Sequence, residues 1–580
     1  MEDFYRHKIE CIRESSERFS YSESLNNYSY LIRAIIADNS LSLGEKRNLS
    51  SKCFLLIGDI YRLLGKNKKA NCSYIAALTI RPDYYTPYYN LITYKKLFQC
   101  SYTWLNTNLL LYHTVSTALS TLEHEKTDKY LRLTDKHIQR FKICKARILL
   151  ELNSNKAGYE FYNAYIVNPE TKKGLLWLAY FNLWSQNFDQ AIKKYNSLLE
   201  KHPNDSDAFN GLLRAYCEAG NYKKAYDIFL KNEGNIDVSS LVLRNMYFGI
   251  GDFKKGWIYA ADNKTSKSLR NTKDLQYYSE LEKLNPQQET LVLSIWGPGD
   301  EIRWSTVYNE VYLKLENFKI TCDPRLLSLF QRSFPNINFV PCYRSVRGSI
   351  NSENIDNFCK LPTKFLSTAL DNHTYSLINK ETQLITNLDI LKNLRSNISD
   401  FSNSATLKAH PDLIEYWKKR LSLYSNKKLV GISWKSSLRS FTRDIHYLDV
   451  TQMEPIFKTE NIVFINLQYG SYENDIVYVK NNYSVDIVNF PELDLMNDFE
   501  NMATLLSCLD MIISPCNFII ELAGALEVQG IMFSNSNEVN WRIDGNRKDI
   551  WHPTISHIKA DPIGNKSNLV FQIQEALKEN

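Results

Sequence analysis

A period of 34 residues in the first half of the chain constrains the fold more than any other feature of the sequence. Alanines and prolines recur at this interval: Ala157, Ala191 and Ala225, and Pro169 and Pro203. A large ring follows each alanine by one helical turn: Phe161, Tyr195 and Phe229. Small residues where two helices approach, bulky residues one turn later and prolines that end each pair predict repeated antiparallel helix pairs.

This spacing is typical of the tetratricopeptide repeat, and the segments that fit it lie in direct succession at 138–171, 172–205 and 206–239. An earlier copy fits 51–84 in a different phase, and a shortened pair ends at 251–257. Such repeats bury their apolar stripe only by stacking on one another. We therefore predict an all-α solenoid over 1–261, whose concave face binds a polypeptide or another partner.

The pattern changes to short apolar strands after a polar stretch at 262–289, which is predicted as a helical linker. Eight segments of strand length follow: 290–296, 318–322, 337–340, 429–434, 462–467, 484–488, 511–514 and 530–533. Strands separated by helical spacers predict parallel sheets with helices on both faces. We expect one Rossmann-like α/β domain at 290–425, a second at 426–580, and a ligand between the carboxyl ends of their strands.

The first strand runs directly into a glycine loop that contains Gly297, Gly299 and Asp300. The two glycines let the backbone turn and approach a ligand, and a helix follows them. Asp300 has two interpretations. It either caps this helix or faces the crevice as a general base for an acceptor hydroxyl.

The second group of strands opens with a loop that suits a diphosphate. Lys435 and Ser436 follow the strand, and Arg439 and Arg443 come soon after them. Lysine supplies a point charge and arginine a planar fork, both of which bind phosphate. A solvated basic loop is the alternative.

Two further strand ends complete the candidate site. Gln468, Tyr469 and Gly470 end one strand in a turn that could hold a nucleotide base or sugar. Asn517 precedes a helix that contains Glu521 and whose first N–H groups are available to a phosphate. Asp498 is more simply interpreted as a helix cap.

Composition excludes several classes of function. The chain has 70 Lys and Arg against 64 Asp and Glu, a net charge of +6, so charge alone predicts no nucleic-acid partner. No apolar run reaches the length of about 18 residues that a membrane span needs, and the acidic start does not resemble a secretory signal. Eleven cysteines without a C-x-x-C pair fit free thiols in the cytoplasm and argue against a zinc site.

In their order, these strings resemble the C-terminal module of bacterial tetratricopeptide-repeat proteins related to ADP-heptose:lipopolysaccharide heptosyltransferases, which are GT-B glycosyltransferases. The matching strings are GDFxxGW at 251–257, GPGDE at 297–301, CDPRL at 322–326, HPD at 410–412, GISW at 431–434, NLQYG at 466–470 and LAGAL at 522–526. The resemblance implies a donor nucleotide sugar on the second Rossmann-like domain and an acceptor near the first. It also implies that Asp300 is the base, and that Lys435 and the position of Asn517 contact the donor phosphate.

The sequence departs from the family pattern near this last helix. Asn517 stands where Thr or Ser is usual, Glu521 replaces a His, and Glu527 replaces a Gly. The two glutamates are expected to bring negative charge toward an anionic donor.

Two hypotheses therefore remain open. The first is a metal-independent glycosyltransferase that uses a nucleotide sugar as co-substrate, without another cofactor, and acts on a glycan or polypeptide. The second is a non-catalytic scaffold whose repeats bind a protein partner and whose α/β module is degenerate. The one Asp-x-Asp string, at 205–207, lies in a repeat turn, so a metal-bound diphosphate is not predicted.

Overall fold

The computed structural model describes residues 1–17, 21–64, 66–80, 172–345, 354–401, 407–436 and 441–579, together with the single positions 142, 160, 163 and 350. The predicted repeat at 138–171, with Ala157, Phe161 and Pro169, lies outside the described residues, as does the candidate phosphate ligand Arg439. The chain divides into two compact units. The first unit contains 1–211 and 345–367, and the second contains 212–344 and 368–580.

The chain begins with four helices: α1 (Glu2–Glu17), α2 (Tyr21–Ala37), α3 (Leu43–Leu63) and α4 (Asn67–Ile80). The repeat copy predicted at 51–84 is therefore wrong at its start, because its first helix begins at Leu43. Ser42 and Glu45 form a reciprocal capping box there, and a Ser followed three residues later by a Glu is a recognisable sequence signal for a helix start. A Cβ atom at Gly58 would lie 2.5 Å from the Tyr74 ring, which explains the glycine in this pair.

Six helices form the three pairs that follow residue 171: α5 (Lys172–Trp184), α6 (Phe188–Lys201), α7 (Ser206–Glu218), α8 (Tyr222–Lys231), α9 (Ser240–Gly249) and α10 (Phe253–Ala261). Ala191 and Ala225 are fully buried, as the repeat requires. A Cβ atom at Gly211 would lie 2.3 Å from the Tyr195 ring. The predicted pattern of small residues against large rings is confirmed in the described pairs.

The first sheet contains five parallel strands: β1 (Gln276–Tyr277), β2 (Thr290–Leu293), β3 (Phe318–Cys322), β4 (Asn338–Pro341) and β5 (Gln383–Thr386), in the order β1-β5-β2-β3-β4. The segment 262–289, predicted as a helical linker, contains the helix α11 (Lys264–Asn271) and also supplies the edge strand β1, which was not predicted. Strand β5 was not predicted either. Its polar ends hide it, although all four residues are buried.

The second sheet also contains five parallel strands: β6 (Lys428–Ile432), β7 (Ile462–Asn466), β8 (Met511–Pro515), β9 (Gly530–Ser534) and β10 (Ile555–Lys559), in the order β10-β9-β8-β6-β7. The strand predicted at 484–488 is wrong. Only Val488 pairs with Ile465, through one isolated bridge. Strand β10 was missed because three of its five residues are polar.

Helices cover the sheets: α12 (Pro298–Trp304), α13 (Tyr308–Tyr312), α14 (Leu327–Ser333), α15 (Asn372–Ser376), α16 (Asn387–Leu394), α17 (Pro411–Leu421), α18 (Phe441–Asp444), α19 (Glu454–Phe457), α20 (Glu473–Tyr483), α21 (Phe499–Leu506), α22 (Phe518–Ala525) and α23 (Lys566–Glu579). The core of the second sheet is apolar and includes Ile432, Phe464 and Ile513. The predicted fold class, a helical repeat region followed by an α/β module with two parallel sheets, is confirmed.

Each sheet has a point at which successive chain connections leave in opposite directions. In the first sheet, β2 lies between β3 and β5. In the second sheet, β6 lies between β7 and β8. The loops that follow such strands diverge and open a crevice at their carboxyl ends, where open α/β sheets bind ligands.

The last helix pairs belong to the same compact unit as the two sheets, which differs from the predicted boundary at 261. Trp541, after β9, stacks on Phe248 of α9 at 4.5 Å between ring centroids. The Asn537 side chain donates to the Glu218 carbonyl at 2.7 Å, and the Trp257 indole donates to the Arg395 carbonyl at 3.0 Å. Helices α7 to α10 are thus fixed to both sheets.

Within the described part of the chain, no helix combines the length and the apolar character needed to cross a bilayer.

Candidate functional site

Asp300 lies in the first turn of α12, at the point where β2 has just ended. Its carboxylate accepts the Gly297 backbone N–H at 3.3 Å and an Arg303 guanidinium N–H at 2.8 Å. The side chain keeps 27% of its surface accessible. Burial raises the pKa of the Asp300 carboxyl, and the Arg303 charge opposes that rise. Both predicted roles are therefore compatible with one side chain, because a carboxylate that caps a helix still has lone pairs left for a proton.

The glycine loop is shaped by protein packing. A Cβ atom at Gly299 would lie 3.1 Å from the Phe518 Cα, at the first residue of α22. The glycine therefore permits close contact between α12 and α22. Trp296 has a φ of 76°, a left-handed conformation that is rare for a large residue and marks a constrained turn. No such constraint applies to Gly297, whose φ is −101°.

Lys435 follows β6, but its ammonium group is already paired. The Lys435 Nζ contacts the Asp475 carboxylate, which also accepts the Trp434 indole N–H at 2.9 Å. Asp475 lies in the first turn of α20, where a carboxylate is stabilised by the helix dipole. The sequence reasoning missed Asp475, because it lies 40 residues after its partner.

The side chain of Gln468 ties the loop after β6 to the loop after β7. Its Oε1 accepts the backbone N–H groups of Trp434 and Lys435, each at 2.9 Å. Its Nε2 donates to the carbonyls of Lys435 and Tyr469. Because the amide is fully used by the protein, Gln468 positions these loops and has little left to offer a nucleotide base.

Tyr469 and Gly470 complete the turn after β7. The Tyr469 ring packs on Phe518 at 4.9 Å, and its hydroxyl lies 3.4 Å from the Ser436 Oγ. Gly470 has a φ of 84°, a conformation that favours glycine. Ser436 and Tyr469 thus lie beside the start of α22.

Asn517 is the N-cap of α22. Its Oδ1 accepts the Ile519 N–H at 3.0 Å and the Ser514 hydroxyl at 2.9 Å. Its Nδ2 donates to the Ser433 Oγ at 3.3 Å. Through Ser433 and Gln468, Asn517 is linked to the Lys435 backbone, so the second sheet brings together the predicted residues Lys435, Gln468 and Asn517.

Glu521 lies in the first turn of α22 and is buried. Only 2% of its side chain is exposed, and its carboxylate binds the Arg542 guanidinium through two bonds, at 2.6 and 3.1 Å. Arg303 lies 3.4 Å away and His552 3.3 Å away. Burial alone would raise the pKa of the Glu521 carboxyl, but Arg303 and Arg542 outweigh it and hold the pKa well below its usual range.

The expected repulsion between the two glutamates and a donor stays a prediction. The charge of Glu521 is matched by buried cations, and Arg542 continues the cluster to Asp549 at 2.8 Å. Glu527 follows the C-terminus of α22, at the end opposite to Asn517, with a φ of 59°. The Val528 N–H donates to the Ala523 carbonyl around it, as in a Schellman turn, where glycine is usual.

Two other carboxylates cap helices. Asp498 accepts the Asn501 N–H at 3.0 Å, which confirms the predicted cap. Asp205, of the Asp-x-Asp string, accepts the Ala208 N–H at 2.7 Å and pairs with Lys172. These interactions account for Asp205 in structural terms.

No family model matches the chain. Protein FlbA of Caulobacter vibrioides is 23% identical over 455 residues, which cover 74% of this chain and 71% of that protein.

Two of the similar solved structures each cover about half of the chain. A glycosyl transferase of family 9 from Veillonella parvula is 10% identical, with a TM-score of 0.34, and covers 51% of this chain and 90% of its own. The E. coli ADP-heptose lps heptosyltransferase II is 11% identical, with a TM-score of 0.31, and covers 51% of this chain and 100% of its own.

Proposed function

We propose that this protein is a glycosyltransferase that uses a nucleotide-sugar donor and needs no metal ion. One observation carries the proposal: the crevices of the two parallel sheets are brought together where α12 contacts α22. Gly299 packs on Phe518, and Arg303 lies between Asp300 and Glu521. A candidate base from one sheet thereby lies near the polar loop ends of the other.

In the proposed reaction, Asp300 takes the proton from an acceptor hydroxyl as that oxygen bonds to the anomeric carbon of the donor. The bond from this carbon to the diphosphate oxygen breaks, and its electron pair leaves with the nucleoside diphosphate. Lys435 would exchange Asp475 for the diphosphate, and the Ser436 hydroxyl and the Asn517 amide would donate to its oxygens. Stabilisation of the leaving charge is usually a large part of catalysis.

Calorimetric titration of the full-length protein with a panel of nucleotide sugars tests this proposal. We expect one donor to bind and Lys435→Ala to weaken it about tenfold or more, since a charge-assisted bond to phosphate is lost. Lys480→Ala is the matched control, because Lys480 lies on the same helix as Asp475 and pairs with another aspartate, Asp486, at 2.8 Å. Equal loss in both variants would contradict the assignment of Lys435.

A second function is favoured by the way the polar groups are satisfied. Lys435 pairs with Asp475, and Asn517 caps its own helix. Gly299 packs against the first residue of α22. These features fit a module that no longer binds a donor and serves as a scaffold. No heat from any donor would support this alternative.

The helical repeats would recruit the glycan or polypeptide acceptor, or a protein partner, in either case. We place the protein in the cytoplasm. The described cysteines carry free thiols, which are typical of a reducing compartment.

A further inference from the structure

A chain of buried charges runs from the candidate base into the interior of the second sheet. Asp300 binds Arg303 at 2.8 Å, and Arg303 lies 3.4 Å from Glu521. Glu521 binds Arg542, which binds Asp549, and Asp549 contacts His557 at 2.7 Å. Arg303 is the member that both carboxylates, Asp300 and Glu521, share.

This arrangement has a cost that packing alone does not explain. Removing several charges from water is unfavourable, and apolar side chains of similar size often do as well or better. Glu521 has almost no accessible surface, so it cannot contact a donor directly. Its charge can act on a bound ligand or on Asp300 through space and through the groups that it touches.

We propose that Glu521 is a positioning residue for Asp300, acting through Arg303, and that it serves proton transfer and not donor binding. The proposal rests on the function proposed above. By attracting the shared guanidinium, Glu521 keeps Arg303 from pairing with Asp300 alone. The Asp300 carboxylate therefore stays basic enough to accept a proton while its orientation remains fixed.

The sign of the effect follows from the charges that face the two carboxylates. The charges of Arg303, Glu521 and Arg542 act on Asp300, and the Asp300 charge acts on Arg244 and Arg344. The groups that face Glu521 are Arg303, Arg542 and His552. Loss of the Glu521 charge removes a repulsion from Asp300 and frees Arg303 to stabilise the ionised form. Both effects lower the pKa of Asp300.

Direct titration of Asp300 tests the proposal without donor or acceptor. Full-length protein labelled with ¹³C at the aspartate carboxyl carbons is titrated by NMR, and the Asp300 signal is assigned by its loss in Asp300→Asn. We expect Glu521→Gln to lower the midpoint by about half a pH unit or more, and Arg303→Gln to raise it. A purely structural role for Glu521 would not produce opposite shifts.

Two controls keep the result interpretable. Glu500→Gln removes a glutamate from another arginine pair, with Arg332 at 2.7 Å, and should leave the midpoint unchanged. Glu521→Asp keeps the charge and should restore the midpoint. If Glu521→Gln does not fold, Arg303→Gln decides the question. An unchanged Asp300 midpoint in Arg303→Gln overturns the proposal. An unchanged midpoint in a folded Glu521→Gln overturns it as well. Failure to bind any donor would instead refute the transferase function.

Discussion

At the scale of single residues, the charged side chains of the candidate site have partners of opposite charge. Lys435 is held by Asp475, and Asp300 shares Arg303 with Glu521. The sequence could indicate Asp300, Lys435 and Asn517, because each follows a strand. It could not indicate Asp475 or Arg542, since both come from distant segments that only the folded sheet brings near.

The buried cluster predicts how stability depends on pH. Burial would raise the pKa of Asp549, but Arg542 and His557 outweigh it and hold the pKa below its usual range. The same holds for Glu521. A depressed carboxyl pKa contributes stability that is present above the unfolded value and is lost as the pH falls below it.

We therefore expect the melting temperature to fall as the pH is lowered from about 5, measured by scanning calorimetry. Asp549→Asn should melt at a lower temperature at pH 7 and should show a smaller fall on acidification. Asp300 acts in the opposite sense, since its pKa is raised and its contribution is lost as the pH rises. A variant that loses as much stability in acid as the parent would contradict this account of the cluster.

At the scale of helices and strands, the sequence predicted elements well where one period dominated. The repeat helices show the 34-residue spacing, and the strands β7 and β8 are mainly apolar. Strand β1 has two residues and β5 has polar ends, so neither carries a period. Their pairing is decided by the sheet around them, which local sequence does not encode.

The cap of α22 provides a prediction at this scale. Asn517→Ala should reduce the free energy of unfolding by about 1 kcal/mol through the lost cap, and should also weaken donor binding. Asp498→Ala is the matched control, because it removes the same kind of cap from α21 and should leave donor affinity unchanged. Chemical denaturation and donor calorimetry measure the two effects. Unchanged donor affinity in Asn517→Ala would reduce Asn517 to a helix cap.

At the scale of the whole molecule, the division into two compact units falls inside α7, after Gly211. Repeat pairs with similar sequences therefore belong to different compact units. Helices α8 to α10 pack with the loop after β9, through Tyr222, Phe248 and Trp257. The sequence could not reveal this, because Trp541 and its partners are separated by nearly 300 residues.

Trp541→Ala tests this attachment. Removal of the stacked ring should lower the stability of the second unit by about 2 kcal/mol or more and accelerate amide exchange in α9 and α10. Hydrogen exchange read by mass spectrometry localises the effect. Trp177→Ala, a partly buried tryptophan of α5, is the control and should leave α9 and α10 protected. Exchange that is unaltered in both helices would show that the ring does not hold them.

The position of this division has a practical consequence for anyone who builds chimaeras from the chain. A junction in the polar stretch at 262–289, before β2, would separate α9 and α10 from the sheets. It would expose the aromatic residues on which Trp541 packs, Phe248 and Trp257. A junction on the N-terminal side of Leu212 keeps these aromatic residues covered by Trp541, so foreign repeats are best joined there.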